Sequence, residues 1–208
     1  MSEIKVLIVE DEVLIANDIA ELLEDEGYTI SGIAYNSKKA LELLRQNKTD
    51  IVLLDIELNS ELSGVDLAKT INHQYHLPFI FLTSFSDRAT LEKVKSTNPM
   101  GYLVKPFEEK TLMTTMEIAL FNYAQLWKAK RPSLTQRLIN QQLYTPLTER
   151  EFVTLLQLLE GKTNKQIAEE LFISTNTVKT HLSKIFLKLD VSSRSMLFMQ
   201  VNKLLKAS

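Results

Sequence analysis

The 208-residue sequence contains no cysteine, so it can form neither a disulfide nor a thiolate metal site. Its three histidines, His73, His76 and His181, do not have the spacing of a zinc site. No uncharged apolar run approaches membrane-spanning length, and residues 1–15 lack the basic and apolar segments of a signal peptide. These absences predict a soluble protein of the reducing cytoplasm that is neither exported nor bound to a membrane.

Charge is divided unevenly along the chain, although the formal net charge is only −2. Residues 1–122 contain 11 basic and 20 acidic residues, a net charge of −9, whereas residues 123–208 contain 13 and 6, a net charge of +7. An acidic half joined to a basic half predicts that only the second half meets a polyanion.

Short apolar runs alternate with helical patterns through the first half. The predicted strands are 4–9, 29–34, 51–54, 79–82 and 102–104, and the predicted helices are 14–25, 38–46, 65–74, 88–95 and 108–122. Such a βα repeat predicts an α/β domain over residues 1–122, with a doubly wound, five-stranded parallel sheet covered by helices on both faces.

The pattern weakens over residues 123–145, which we interpret as a partly helical linker. Beyond it, helical patterns cover 149–159, 165–171, 175–189 and 194–206. Each pattern is preceded by a candidate N-cap, namely Thr148, Thr163 or Asn164, Ser174 and Ser193. Residues 146–208 are therefore predicted to form a small all-α domain.

The stretch VLIVEDE ends a predicted strand with adjacent acids, of which Glu10 and Asp11 follow the strand directly. Asp55 ends the third apolar run in the same way. In a 2-1-3-4-5 strand order these two strands are neighbours, and their carboxyl ends open onto one crevice. Three converging carboxylates repel one another unless a cation lies among them, and oxygen ligands suit Mg²⁺.

Two further predicted strands end at the same edge, one with Thr83 and the other with Lys105. A carboxylate nucleophile, a metal, a hydroxyl and an ammonium are what phosphoryl transfer to an aspartate requires. In this interpretation Asp55 attacks, Lys105 and the metal neutralise phosphoryl oxygens, and Thr83 donates a hydrogen bond. Each residue alone has a simpler interpretation, as a strand-end, cap or surface residue.

Residues 3–122 resemble the receiver domain of two-component response regulators, a CheY-like fold, through VEDE, LLDIEL, LTSF and GYLVKPF. The resemblance implies that a partner histidine kinase phosphorylates Asp55. It also implies that Asp11, Asp55 and the backbone carbonyl of Glu57 bind Mg²⁺, with Glu10 contacting the ion through water. The loop before Gly64 is slightly longer than is usual in this family.

The same resemblance implies that two residues, Thr83 and Tyr102, switch conformation together after phosphorylation. From the sequence alone, Tyr102 is equally well an ordinary core aromatic. The resemblance further implies a cis peptide bond between Lys105 and Pro106, since only an X-Pro bond adopts that geometry at modest cost.

Residues 161–182 have the pattern of a helix, a short turn and a capped second helix. On the second helix, apolar residues share one face, so that face is predicted to be core: Val178, Leu182, Ile185 and Leu189. The opposite face carries Lys179, Thr180, Ser183 and Lys184. A recognition helix presents such a face to the DNA major groove, although an amphipathic bundle with a solvated lysine face has the same pattern.

Residues 147–194 resemble the LuxR-type helix-turn-helix domain through LTERE, GKTNKQIAEEL, ISTNTVKTHLSKI and KLDVSSR. The resemblance implies that Lys179, Thr180, Ser183 and Lys184 contact bases or phosphates of double-stranded DNA. It places a second group near the DNA backbone, namely Thr163, Asn164, Lys165 and Thr177. The helix over 194–206 resembles the dimerisation helix of these proteins.

The sequence thus predicts a transcriptional regulator, not an enzyme, in which phosphorylation of Asp55 controls dimerisation and DNA binding. A homodimer is expected at least in the phosphorylated state. A metal-dependent phosphohydrolase using Asp55 is one rival, although no suitable general acid or substrate pocket is evident. A second rival keeps the regulator but makes the basic domain a protein-interaction module, or the pocket inactive.

Overall fold

The computed structural model describes residues 4–46, 48–84, 93–128 and 134–206. The chain divides into two compact units, one of residues 4–120 and one from residue 121 onwards. Most of the helix predicted over 88–95 lies outside the described residues. None of the helices in the described ranges is long and apolar enough to cross a membrane.

The first unit is built on a five-stranded parallel sheet. Its strands are β1 (Lys5–Val9), β2 (Thr29–Ala34), β3 (Ile51–Asp55), β4 (Phe79–Thr83) and β5 (Gly101–Val104). They lie in the order β2-β1-β3-β4-β5, so β1 and β3 are neighbours at the point where the strand order reverses. The predicted α/β fold class and strand order are confirmed.

Helices cover both faces of this sheet. They are α1 (Val13–Asp25), α2 (Ser37–Leu44), α3 (Gly64–Thr70), which continues as a π-helical turn (Ile71–Tyr75), and α4 (Glu109–Lys128). Side chains alternate along each strand, so Leu7 and Val9 join a core with α2 and α3, whereas Val6 and Ile8 join a core with α1 and α4. The carboxyl edge of the sheet is left for polar residues.

The second unit is helical. It contains α5 (Gln136–Asn140), α6 (Glu149–Leu159), α7 (Asn164–Leu171), α8 (Thr175–Leu189) and α9 (Arg194–Lys206). Thr148 and Thr163 begin α6 and α7 with capping boxes, and Ser174 caps α8. The hydroxyl of Ser193 accepts a hydrogen bond from Met196 N at the start of α9. These side chains satisfy backbone N–H groups that would otherwise lack partners.

Helix α4 extends to Lys128, six residues beyond the predicted end at 122. Its last turns are stabilised by aromatic packing within the second unit, since the ring of Tyr123 lies 5.5 Å from that of Phe198 and 6.0 Å from that of Trp127. Tyr123 is only 6% exposed. Tertiary contacts thus continue a helix where the local pattern weakens.

Candidate functional site

Three carboxylates meet where β1 and β3 end. One oxygen from each of Glu10, Asp11 and Asp55 lies within 4.8 Å of the other two. Glu10 is fully buried and Asp55 is 4% exposed. Like charges this close and this poorly solvated raise one another's energy, so the cluster needs a compensating cation.

Lys105 provides one positive charge inside the cluster. Its Nζ lies 2.5 Å from Oε2 of Glu10 and 2.6 Å from Oδ2 of Asp55. The residue follows β5 directly, and its backbone N–H donates to the carbonyl of Thr83, which fixes it at the sheet edge. Burial alone would lower the pKa of Lys105, but the hydrogen bonds to Asp55 and Glu10, together with their negative charges, outweigh burial and raise it.

One ammonium does not balance three carboxylates. Burial, which outweighs the attraction of Lys105, raises the pKa of Glu10 to about 7. The neighbouring charge of Asp55 acts in the same direction. The excess negative charge favours a further positive charge at the cluster, in the form of a proton or a metal ion.

The loop between β3 and α3, residues 56–63, runs along the cluster. The backbone N–H of Glu57 donates to Oδ1 of Asp55 at 2.9 Å, while the side chain of Glu57 is exposed. The backbone N–H of Asn59 donates to Oδ2 of Asp11 at 3.3 Å. The loop closes at Gly64, where an added Cβ would lie 1.9 Å from the carbonyl oxygen of Asp55. Only glycine allows this approach of α3 to the end of β3.

Thr83 and Tyr102 lie on the neighbouring strands β4 and β5. Thr83 ends β4 and is 7% exposed, at the same edge as Asp55. Tyr102 is 40% exposed, and its ring stacks on that of Phe81 at a centroid distance of 6.3 Å. Burial outweighs the nearby Lys95 and raises the pKa of Tyr102. Because 40% of its surface is exposed, Tyr102 is a partly buried surface aromatic rather than a core residue.

In the second unit, α7 and α8 form a helix-turn-helix. Helix α7 is followed by its C-cap, Phe172, whose φ of 53° is left-handed, and Ile173 N donates back to the carbonyl of Ala168. The hydroxyl of Ser174 then caps α8 by accepting from Thr177 N at 3.1 Å. The predicted core face of α8 is confirmed, because all four of its apolar residues are buried: Val178, Leu182, Ile185 and Leu189.

The opposite face of α8 carries the residues predicted to contact DNA. Thr177, Thr180, Ser183 and Lys184 are exposed, and Lys179 is half-buried. The hydroxyls of Thr180 and Ser183 donate to backbone carbonyls one turn earlier, at 3.0 and 2.9 Å. This face is therefore polar, basic and open to a partner along the first three turns of the helix.

The three predicted residues around the start of α7 differ in their surroundings. Thr163 is its N-cap, and its hydroxyl accepts from Gln166 N. The side-chain carbonyl of Asn164 accepts a hydrogen bond from the guanidinium of Arg194, whereas Lys165 is exposed. Arg194 is 5% exposed and also donates to the carbonyl of Lys162 at 2.8 Å. Asn164 thus links α7 to the start of α9.

Sequence reasoning missed a second link within this unit. Glu151, which is 3% exposed, accepts from Thr148 N at 2.9 Å and from Lys188 Nζ at 2.7 Å. Burial alone would raise the pKa of Glu151, but the hydrogen bonds from Lys188 and Thr148, together with the positive charge of Lys188, outweigh burial and lower it. The sequence indicated Thr148 as an N-cap, but nothing in it indicated the bond from Thr148 N to Glu151 or the partner of Glu151 on α8.

The first unit places an aspartate among acids and a lysine at the edge of a doubly wound sheet. The second unit is a helix-turn-helix. Together they define a class of regulators that have an input domain and a DNA-binding domain. Residues 6–117 match the response regulator receiver domain, and residues 145–201 match the luxR family of bacterial regulatory proteins. The chain belongs to the response regulators that combine a receiver domain with a LuxR-type helix-turn-helix domain.

Similar proteins support this membership along nearly the whole chain. Transcriptional regulatory protein YdfI of Bacillus subtilis is 33% identical over 196 residues, which cover 92% of each chain. Transcriptional regulatory protein LiaR of the same organism is 31% identical, over 92% of this chain and 93% of its own. The signal receiver domain of a modulated diguanylate cyclase from Desulfovibrio desulfuricans is 36% identical with a TM-score of 0.57, over 60% of this chain and 99% of its own.

Proposed function

We propose that this response regulator is phosphorylated on Asp55 by a histidine kinase, in a Mg²⁺-dependent reaction, and that phosphorylation promotes dimerisation and DNA binding. The observation that carries the proposal is the pair of contacts made by Lys105, which holds Asp55 and Glu10 beside Asp11 at one sheet edge. This arrangement prepares a carboxylate nucleophile and a cation for one incoming phosphoryl group.

The donor set fits Mg²⁺. Glu10, Asp11 and Asp55 offer only hard oxygen ligands, and three carboxylates exceed the single charge of Lys105. We propose that Asp11 and Asp55 hold the ion directly, together with the carbonyl oxygen of Glu57, and that Glu10 contacts it through water. When bound, the ion neutralises charge on the phosphoryl oxygens.

The protein side chains have separate roles in the transfer. An oxygen of Asp55 attacks phosphorus in line with the departing nitrogen of a phosphohistidine, so an O–P bond forms as the P–N bond breaks. Lys105 pairs with one phosphoryl oxygen, and the hydroxyl of Thr83 donates to another. Thr83 is then held at the site, and we propose that the ring of Tyr102 changes position with it.

The basic face of α8 is the proposed DNA-reading surface. Thr180, Ser183 and the two lysines Lys179 and Lys184 reach base edges or phosphates in the major groove. Thr163 and Lys165 lie at the start of α7, and Thr177 lies in the first turn of α8. These three residues are the proposed contacts with the DNA backbone. Asn164 is also a proposed contact with the DNA backbone, in addition to its hydrogen bond with Arg194. A regulator that binds chromosomal DNA acts in the cytoplasm.

Dimerisation is the proposed link between Asp55 and DNA. Moving a two-state equilibrium from 1:99 to 99:1 requires about 5.5 kcal/mol, more than one new charged group readily provides. Joining two weak DNA modules amplifies a smaller shift, because the second half-site binds at high effective concentration. Helix α9 is the proposed contact between DNA-binding units, and sedimentation with and without a phosphoryl mimic tests the change in mass.

Phosphorylation of the purified protein tests the proposal. Wild-type protein is incubated with a small phosphodonor and Mg²⁺, and its mass is compared with that of Asp55→Asn. We expect one phosphoryl group on the wild type and none on the variant. A full equivalent on Asp55→Asn, or continuous turnover of a phosphoester without a stable phosphoprotein, contradicts it.

A further inference from the structure

Ser37 connects the second helix to the loop beside the acidic cluster. It is the first residue of α2 and is 3% exposed. Its backbone N–H donates to Oγ of Ser60 at 3.3 Å, and its own Oγ accepts from Leu62 N at 3.3 Å. A buried serine therefore holds residues 56–63 through both its backbone and its side chain.

Other hydrogen bonds keep this loop compact. The hydroxyl of Ser60 donates to the carbonyl of Leu62 at 2.9 Å, while Ser60 N donates to the carbonyl of Leu58 at 2.9 Å. Gly64 N donates to the carbonyl of Ile56 at 3.1 Å and closes the loop. Ser60 is hydrogen-bonded both within the loop and to Ser37. Holding Ser37 in place therefore also restricts the position of Ser60 in the loop.

The other side of the loop contacts the cluster. Asn59, which precedes Ser60, donates its N–H to Oδ2 of Asp11. Glu57 donates its N–H to Oδ1 of Asp55. Ser37 and Asp11 are thus connected through two consecutive residues, Asn59 and Ser60. Ordering a loop costs conformational entropy. Because this loop is already anchored, it loses less entropy when its N–H groups hold Asp11 and Asp55 in position for an ion.

We propose that Ser37 is a positioning residue for the acidic cluster. Ser37 fixes the loop that orients Asp11 and Asp55, and in this way it sets the affinity of the cluster for Mg²⁺. The inference rests on the proposed function, because it deepens the role of the same cluster. Ser37 acts through the loop backbone and takes no part in the transfer itself. Its removal therefore weakens ion binding while leaving the nucleophile in place.

Ser37→Ala tests this role against Ser31→Ala as a matched control. Ser31 lies on β2, and its hydroxyl makes a partly buried hydrogen bond with Thr49 at 3.0 Å rather than with the loop. Ser31→Ala thus also removes one hydroxyl bond in the same unit. Calorimetric titration of the unphosphorylated full-length protein with MgCl₂ measures the dissociation constant. We expect about fivefold weaker binding for Ser37→Ala, the factor for removal of one hydrogen bond, and no change for Ser31→Ala.

The Mg²⁺ dependence of labelling separates positioning from loss of folded protein. With Ser37→Ala the half-saturating Mg²⁺ concentration rises, but the labelling rate at saturation equals that of the wild type. A lower plateau with an unchanged half-saturating concentration indicates partial unfolding and overturns the proposal. If Ser37→Ala does not fold, Ser60→Ala, which removes the acceptor of Ser37 N–H, carries the same expectation.

The inference is overturned if Ser37→Ala and Ser60→Ala both bind Mg²⁺ within about twofold of the wild type, a change smaller than one hydrogen bond. Equal weakening by Ser31→Ala, or no Mg²⁺ binding by the wild type, also overturns it. Failure of the proposed function has a different signature. In that case wild-type Asp55 takes up no phosphoryl group, while Mg²⁺ binding still depends on Ser37.

Discussion

The ammonium of Lys105 lies 2.6 Å from the carboxylate of Asp55, and their side chains are only 9% and 6% exposed. This ion pair joins the end of β5 to the end of β3 across the intervening β4. Such a buried pair is costly to break on one side only, because the remaining charge has no partner. Lys105 therefore contributes to stability before any phosphoryl group arrives.

Replacing Lys105 with methionine should destabilise the protein. The variant keeps an unbranched side chain as far as Cε but leaves Glu10 and Asp55 without their cation, so we expect a loss of about 3 kcal/mol in the free energy of unfolding in EDTA. Added Mg²⁺ should stabilise the variant, because the ion is bound only by the folded state and its charge replaces part of that of the missing ammonium. Urea denaturation with and without Mg²⁺ measures both effects.

Lys39→Met is the control for this prediction. Lys39 pairs with Glu42 at 3.3 Å on the surface, where the side chains are 52% and 47% exposed. An exposed pair of this kind contributes less than about 1 kcal/mol. Equal destabilisation by the two variants, or a Lys105→Met variant that is indifferent to Mg²⁺, would show that Lys105 does not balance the cluster.

Replacing Gly64 with alanine should disturb both the fold and the site. The added Cβ would lie 1.9 Å from the carbonyl oxygen of Asp55, so α3 or the end of β3 must move. We expect a loss of about 2 kcal/mol in stability and slower labelling of Asp55.

Gly27→Ala is the control, because Gly27 has a φ of +83° but open space around it. That variant should lose about 1 kcal/mol and label at the normal rate; a normal labelling rate in Gly64→Ala contradicts the prediction.

The ion pair between Glu151 and Lys188 predicts a pH dependence for the second unit. The pKa of Glu151 is lowered in the folded state, so folding stabilises its charged form. This stability is present above the ordinary pKa of 4.5 and is lost as the pH falls below it through the folded-state pKa. Glu151→Gln should therefore cost about 2 kcal/mol at neutral pH, with the difference narrowing in acid. Thermal unfolding across this pH range is the measurement, and a constant difference would exclude the ion pair as its cause.

Replacing Lys179 and Lys184 with alanine should weaken DNA binding. Both project from the polar face of α8, so removing each phosphate contact should reduce the slope of log K against log salt concentration by about one. Removing a base contact should instead relax specificity by about 1 to 3 kcal/mol. Binding measured over a salt series separates the two.

Lys110→Ala is the control, because it removes an exposed lysine from α4 and should leave the slope unchanged. An unchanged slope in the Lys179 and Lys184 double variant excludes α8 as the DNA-reading helix.

Most of the fold could be predicted from local patterns, since apolar periodicity and capping residues act over a few positions. The strand β2 and the helices α6, α8 and α9 have the predicted limits. The helix predicted over 65–74 is present, but its π-helical last turn, Ile71–Tyr75, was not predicted. The turn ends at a left-handed residue, His76, where no glycine signals the end. The short helix Gln136–Asn140 lies in the stretch interpreted as a partly helical linker, where the weak pattern did not give the limits of a helix. Its packing partner, α9, is distant in sequence.

The site could be predicted only in part for a similar reason. Strand order alone places Asp55 beside Glu10 and Asp11, so the cluster follows from the fold. The bonds that orient it come from distant loops. Neither the bond from Asn59 to Asp11 nor the pair of hydrogen bonds made by Ser37 has a sequence pattern, because two ordinary polar residues meet only after folding. The exposure of Tyr102 likewise depends on its place at the sheet edge.

The most direct test of the account is DNA affinity measured before and after phosphorylation. A DNA fragment selected by the protein from a random pool is titrated, at fixed salt, with wild type and Asp55→Asn, each with and without phosphodonor and Mg²⁺. We predict that phosphodonor tightens binding by the wild type about tenfold, within the usual range of coupling between two sites, and does not affect Asp55→Asn. Equal tightening of Asp55→Asn, or no tightening of a fully phosphorylated wild type, would contradict control of DNA binding through Asp55.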